Sequence, residues 1–129
     1  MLRLAFCGND CNRCPRYVAT LSGDVERFKE AALLWQKLGW RDEVVPPEQM
    51  ACHGCATAKW CRYRIRECAS AKGVAHCGEC ADYPCEKVLK AFEKAELYAI
   101  EARKRLSKED YKLFNEVFFQ KKKHLEGVR

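Results

Sequence analysis

The sequence predicts a mainly α protein with a cysteine-rich, loop-dominated metal-binding core and little or no β structure. Three observations lead there. Seven of the ten cysteines fall between Cys52 and Cys85, and two pairs among them, Cys52/Cys55 and Cys77/Cys80, have C-x-x-C spacing. Two thiolates from one tight turn at that spacing can bind a single ion, and paired turns of this kind mark zinc sites. Outside this stretch, apolar residues recur every three or four positions, the period of a helix. At 129 residues and 33% charged, the chain reads as one soluble domain. A chain of that length can bury about two-thirds of its surface. Residues 1–90 form the cysteine-rich metal-binding region in this reading, and residues 91–129 a helical extension.

Leu2, Leu4 and Phe6 alternate with other residues, which suits a very short strand or an extended lead-in. Cys7, Cys11 and Cys14 follow in a compact loop of turn-forming residues, and Pro15 suits the first position of a helix. Residues 16–21 make a turn or two of that helix before Ser22, Gly23 and Asp24 interrupt it. Asp24 then caps a firm helix over 24–38, with Val25, Phe28, Ala32 and Trp35 as its core stripe and Gly39 as its stop. Pro46 to Gln49 reads as a turn that opens a short helix ahead of Cys52. Gly54 and Gly78 each sit inside a C-x-x-C turn, where backbone angles closed to other residues are useful.

A short helix is expected over 62–71, ended by Gly73. Pro84 opens a long one, with Val88, Phe92, Ala95, Ala99, Ala102 and Leu106 on one face. Ser107 and Asp110 form a capping-box signature, so the helix near 84–106 breaks there and another runs over 108–122. That last helix carries Tyr111, Phe114, Val117 and Phe118. The run from Lys121 to His124 ends it, where positive side chains complement the helix dipole.

No run of about 18 apolar residues is present, so no membrane span is expected. The start of the chain, MLRLAFCGND, is too soon polar for a signal peptide. The expected setting is therefore the reducing cytoplasm, where disulfides are rare and clustered cysteines bind metal. The formal charge is +6. Ligating cysteines lose their protons, so two tetrathiolate zinc sites would lower that figure to about +2. The basic balance is then partly compensation for the clusters.

Several short motifs, in order, carry a family resemblance. Cys7-Gly8-x-Asp10-Cys11-x-x-Cys14 is followed by Tyr17, Ala19 and Thr20. Then come Cys52-x-Gly54-Cys55, Ile65-Arg66-x-Cys68, Cys77-x-x-Cys80 and Tyr83-Pro84-Cys85-Glu86-Lys87. Over about residues 6–90 this resembles a prokaryotic, cysteine-rich family of unknown function whose members are taken to bind zinc. The resemblance implies metal binding and a small cysteine-rich fold, and it implies no activity. Other members often place a cysteine elsewhere in the segment before the Ile-Arg-x-Cys motif, so Cys61 departs from the usual pattern.

All ten cysteines are candidate ligands: Cys7, Cys11, Cys14, Cys52, Cys55, Cys61, Cys68, Cys77, Cys80 and Cys85. They fall as three, four and three along the chain, so four-coordinate sites cannot all be local. At least one site is expected to tie the N-terminal loop to the Cys52–Cys85 region. His53 and His76 lie within the stretch, but both read as surface side chains. Zinc suits all-thiolate tetrahedral sites. Iron–sulfur clusters use the same ligands, and the Cys7-x3-Cys11-x2-Cys14 spacing even matches that of radical S-adenosylmethionine enzymes. Those enzymes need a large partial barrel, for which this chain is too short and too helical.

Three functional readings follow. The first is a structural zinc module acting as a binding or adaptor protein with a protein partner. It rests on the closed nature of all-cysteine sites and on the absence of a Ser-His-Asp set, a phosphate loop or a His-Glu-x-x-His helix, which argues against an enzyme. The second is nucleic-acid binding through Lys59, Trp60, Arg62, Tyr63, Arg64 and Arg66, where cations alternate with stacking surfaces. The plainer account of those arginines is that they offset thiolate charge. The third is a redox protein using an iron–sulfur cluster or a spare activated thiol, with Cys61 as its first candidate.

Overall fold

A computed structural model describes residues 4–54 and 63–127. Six α-helices are present among them: α1 (Pro15–Ser22), α2 (Val25–Lys37), α3 (Ile65–Lys72), α4 (Glu86–Arg105), α5 (Lys108–Phe114) and α6 (Lys121–Gly127). Two short 3-10 turns, Pro47–Met50 and Cys77–Glu79, and a π-helical turn, Asn115–Phe119, complete the regular structure. The fold is mainly α. Among the described residues there is no strand, only an isolated antiparallel bridge between Leu4 and Asp10. The lead-in therefore curls back instead of extending: Gly8 N–H donates to Ala5 O at 3.0 Å and Ala5 N–H to Asn9 O at 2.9 Å. Among the described residues, no helix is long and apolar enough to cross a membrane.

The helix signals act locally as their chemistry dictates. Pro15 occupies the first turn of α1, where its missing N–H is no loss. The Asp24 carboxylate accepts the Glu26 N–H at 3.0 Å, and Ser107 Oγ accepts the Asp110 N–H at 3.2 Å. The stripe of α2 starts a turn later than expected: Val25 is 55% exposed, while Ala31, Ala32 and Trp35 are buried. Pro84 does not open α4. It lies two positions before Glu86, and Cys85 is the N-cap.

The largest correction concerns the C-terminal segment. In place of one helix over 108–122, α5 ends at Phe114, a π-helical turn follows, and α6 starts at Lys121. The wider turn adds a residue to the repeat and re-phases the side chains. Phe114 and Val117 both reach the core, while Phe119 turns to stack on Tyr111 at 6.2 Å. The lysine run thus begins a helix instead of ending one. There the dipole disfavours cations, and burial of His124 and Leu125 offsets the loss.

Two apolar clusters result. One joins α1, α2, α4 and the π turn around Trp35, Met50, Phe114 and Val117. Trp35 lies 5.2 Å from Phe114 and 5.5 Å, edge-on, from Trp40, an arrangement aromatic quadrupoles favour. The other gathers Ala5, Cys7, Ile65, Cys77, Val88 and Leu125. Cys11 packs against both, so the N-terminal cysteine loop is the joint between them.

Candidate metal centre

The N-terminal loop and the second knuckle are fastened by backbone. Cys77 N–H donates to Phe6 O at 2.8 Å, which sets Cys7 beside Cys77. The knuckle closes on itself when Cys80 N–H donates to Cys77 O at 3.1 Å. Cys68 arrives on α3 and Cys85 at the N-cap of α4. Cys7 and Cys77 are buried, and Cys68, Cys80 and Cys85 are half-buried. Burial pushes the Cys77 thiol up to about 12, and the fields of Cys7, Cys85, Cys80 and Cys68 push in the same direction. Five sulfur atoms from four separate parts of the chain thus share one electrostatic neighbourhood.

A second pairing forms where α1 meets the approach to Cys52. Arg16 is buried, its Nε donating to Met50 O at 3.0 Å and its Nη2 reaching Ala51 O at 3.3 Å. Thr20 Oγ1 accepts the Cys52 N–H at 2.8 Å. Cys14, directly before α1, feels Cys52: burial raises its thiol first, backbone N–H groups of Tyr17 and Arg16 oppose, and the Cys52 field adds to the rise. Burial also lowers the Arg16 guanidinium from its usual value, with Cys52 opposing. Cys55 and Cys61 lie outside the described residues, as do Lys59, Trp60 and Arg62.

The surroundings hold these turns in place. A Cβ on Gly8, whose φ is +100°, would meet Lys121 O at 2.6 Å. A Cβ on Gly78 would meet Leu125 O at 2.7 Å. Gly78 therefore serves close approach of α6 rather than an unusual backbone angle, whereas Gly54 does take a φ of +111°. Lys72 Nζ lies 3.4 Å from Cys80 Sγ and also pairs with Asp82. The Asp82 contact, then Cys80, raises the Lys72 ammonium, and Lys72 in turn lowers Asp82. His53 is exposed, as expected. His76 is not simply a surface side chain, because its Nδ1 is buried without a hydrogen-bond partner among the described residues.

Thiols are donors that suit a thiophilic ion, but the described side chains do not form a coordination shell. Among the described residues, no three Cys, His, Asp or Glu side chains converge on one ion position. The eight described cysteines are all free of disulfides. Arg16, His124 and Asp10 position the loops, and spacing alone gave no sign of the first two. Asp10 is 1% exposed, and its Oδ1 accepts the Asn12 N–H at 3.1 Å. Its place between two cysteines was the one available hint.

No curated protein and no solved structure matches the chain. A family model does match over residues 3–90, the span that carries all ten cysteines. By that match the chain belongs to the family described as protein of unknown function (DUF3795).

Proposed function

We propose that the protein is a metal-stapled binding or adaptor module of a reducing cytoplasm, with zinc as a structural ion. The observation that carries this reading is the environment of Cys77. Each charged group that perturbs it is another thiol: Cys7, Cys85, Cys80 and Cys68. Crowding several thiols without a cation is unfavourable once more than one ionises, and a divalent ion reverses the sign of that interaction. The buried, unpartnered Nδ1 of His76 beside Cys77 is a further group that a bound ion, or a turned thiol, would satisfy.

Four of the five clustered thiols would hold one ion, with Cys7 and the Cys77/Cys80 knuckle as its base. Cys11, Cys14 and Cys52 would start a second, completed from the Cys55 side of its C-x-x-C turn. The side chains would have to turn inward to close either shell. Tetrathiolate zinc contributes folding free energy and leaves no open position for a substrate, so the chemistry favours binding over catalysis. Structural zinc is worth about 10–16 kcal/mol in small zinc peptides, enough to decide whether these loops fold.

The test is metal analysis of protein purified anaerobically without added metal. Zinc near two per chain in a colourless sample supports the reading. A coloured iron–sulfur protein, or a fully folded protein with no metal, overturns it.

A further inference from the structure

A cleft of about 620 Å³ opens between α3 and the start of α4. That volume is ample for a ligand of nucleotide size. Four cations line it, Arg64, Lys72, Lys87 and Lys90, against two carboxylates, Asp82 and Glu86. Each carboxylate is already engaged. Lys72 pairs with Asp82, and Lys90 Nζ lies 3.3 Å from Glu86 Oε1. Among the described residues, no carboxylate stands within salt-bridge reach of Arg64 or Lys87, so neither cation is neutralised by a carboxylate. Tyr63 adds an aromatic surface to the same wall.

Arg64 is also the one described non-glycine residue with a left-handed backbone, at φ 61°. Such a conformation is sparsely populated by residues with a side chain, and it fixes where the side chain leaves the chain. Arg64 and Cys85, the N-caps of α3 and α4, make no side-chain capping bond, and both line the cleft.

We propose that this cleft binds a phosphate ester, with Arg64 and Lys87 as its anchoring cations. An arginine fork and a lysine point charge are the pair that phosphate recognition uses. The phosphate arrives either on a nucleotide-sized molecule or in the backbone of a single strand. Cys68 and Cys85 also line the cleft, so the phosphate site adjoins the thiol cluster. The competing alternative is that these cations only offset thiolate charge.

The experiment measures binding of inorganic phosphate, adenosine monophosphate and a labelled ten-residue oligothymidylate to the full chain at low salt. Three proteins are compared: the native chain, the Arg64→Gln/Lys87→Gln double variant, and a Lys122→Gln/Lys123→Gln control of equal charge loss. The native chain and the control should bind alike. The Arg64/Lys87 variant should bind roughly tenfold more weakly or worse, with unchanged metal content and melting temperature. Binding of the mononucleotide identifies a small ligand, and binding of the oligonucleotide alone identifies a strand. No binding of any probe by the native chain overturns the proposal, as does equal weakening in the control. A double variant that loses metal while its phosphate binding is unchanged overturns it in favour of charge compensation.

Discussion

The imidazole Nδ1 of His124 lies 2.7 Å from the carbonyl oxygen of Gly8, across 116 positions of the chain. A carbonyl oxygen only accepts, so Nδ1 carries the proton and donates. The contact is buried, and it fixes α6 to the loop that presents Cys7. Tyr83 OH donates to Glu126 Oε2 at 2.8 Å, which fastens the same helix to the far side of the second knuckle. A C-terminal helix thus clamps the two loops whose thiols share one neighbourhood.

Replacing His124 tests that clamp. His124→Phe keeps the ring volume and leaves Gly8 O buried without a donor. An orphaned buried acceptor costs about 1–3 kcal/mol. Urea unfolding should show a loss of that size, with faster alkylation of Cys7 in the metal-free protein.

The glycines at the close approaches should rank by what they meet. Gly8→Ala combines a strained φ with a backbone clash against Lys121, whereas Gly78→Ala meets Leu125 O without the strain. Overpacking costs about 1–3 kcal/mol, and the left-handed backbone adds about as much again. Thermal unfolding should therefore place Gly8→Ala well below Gly78→Ala, and both below the native chain.

Arg16 should be intolerant of a substitution that is usually mild. Its fork serves carbonyls of Gln49, Met50 and Ala51, with the guanidinium 5.9 Å from the centroid of Trp35. Lysine cannot reproduce a planar fork. Arg16→Lys should lose about 1–3 kcal/mol by denaturant titration, and Arg16→Met about as much or more. Both should loosen the approach to Cys52.

Metal-free and metal-loaded protein should respond to pH with opposite signs. In the metal-free fold the Cys77 thiol is raised from 9.0 to about 12. The folded chain keeps its proton over that window, while the unfolded chain has lost it. The stability this supplies is complete below pH 9 and is lost as pH climbs toward 12, by at most about 1.4 kcal/mol per pH unit. Cys14, also raised by burial, acts in the same direction. Chelator-treated protein should therefore show a urea midpoint that falls as pH rises above about 9, with a shallower slope in Cys77→Ala. With zinc bound, protons compete with the ion for thiolates, and stability should instead fall on acidification.

Much of this fold was legible from local chemistry. Asp24, Ser107, Gly23 and Gly73 end or begin helices as their side chains or backbones dictate, because capping is decided within a turn. The errors lie where tertiary packing overrides such rules. The lysines at 121–123 look like a helix end, but burial of Leu125 and His124 makes them a helix start. The aromatic run from Phe114 to Phe119 has no single period, because a π turn splits its rings between two neighbours. Which thiols meet was similarly hidden. Cys7 stands beside Cys77 through a hydrogen bond from Cys77 N–H to Phe6 O, and no spacing rule encodes that bond.

The most direct measurement is a cadmium-113 NMR experiment on cadmium-substituted protein, correlating each ion with cysteine β-protons. The account predicts one cadmium resonance coupled to Cys7 together with Cys77 and Cys80. Couplings confined to residues 52–85, with Cys7, Cys11 and Cys14 silent, would contradict it.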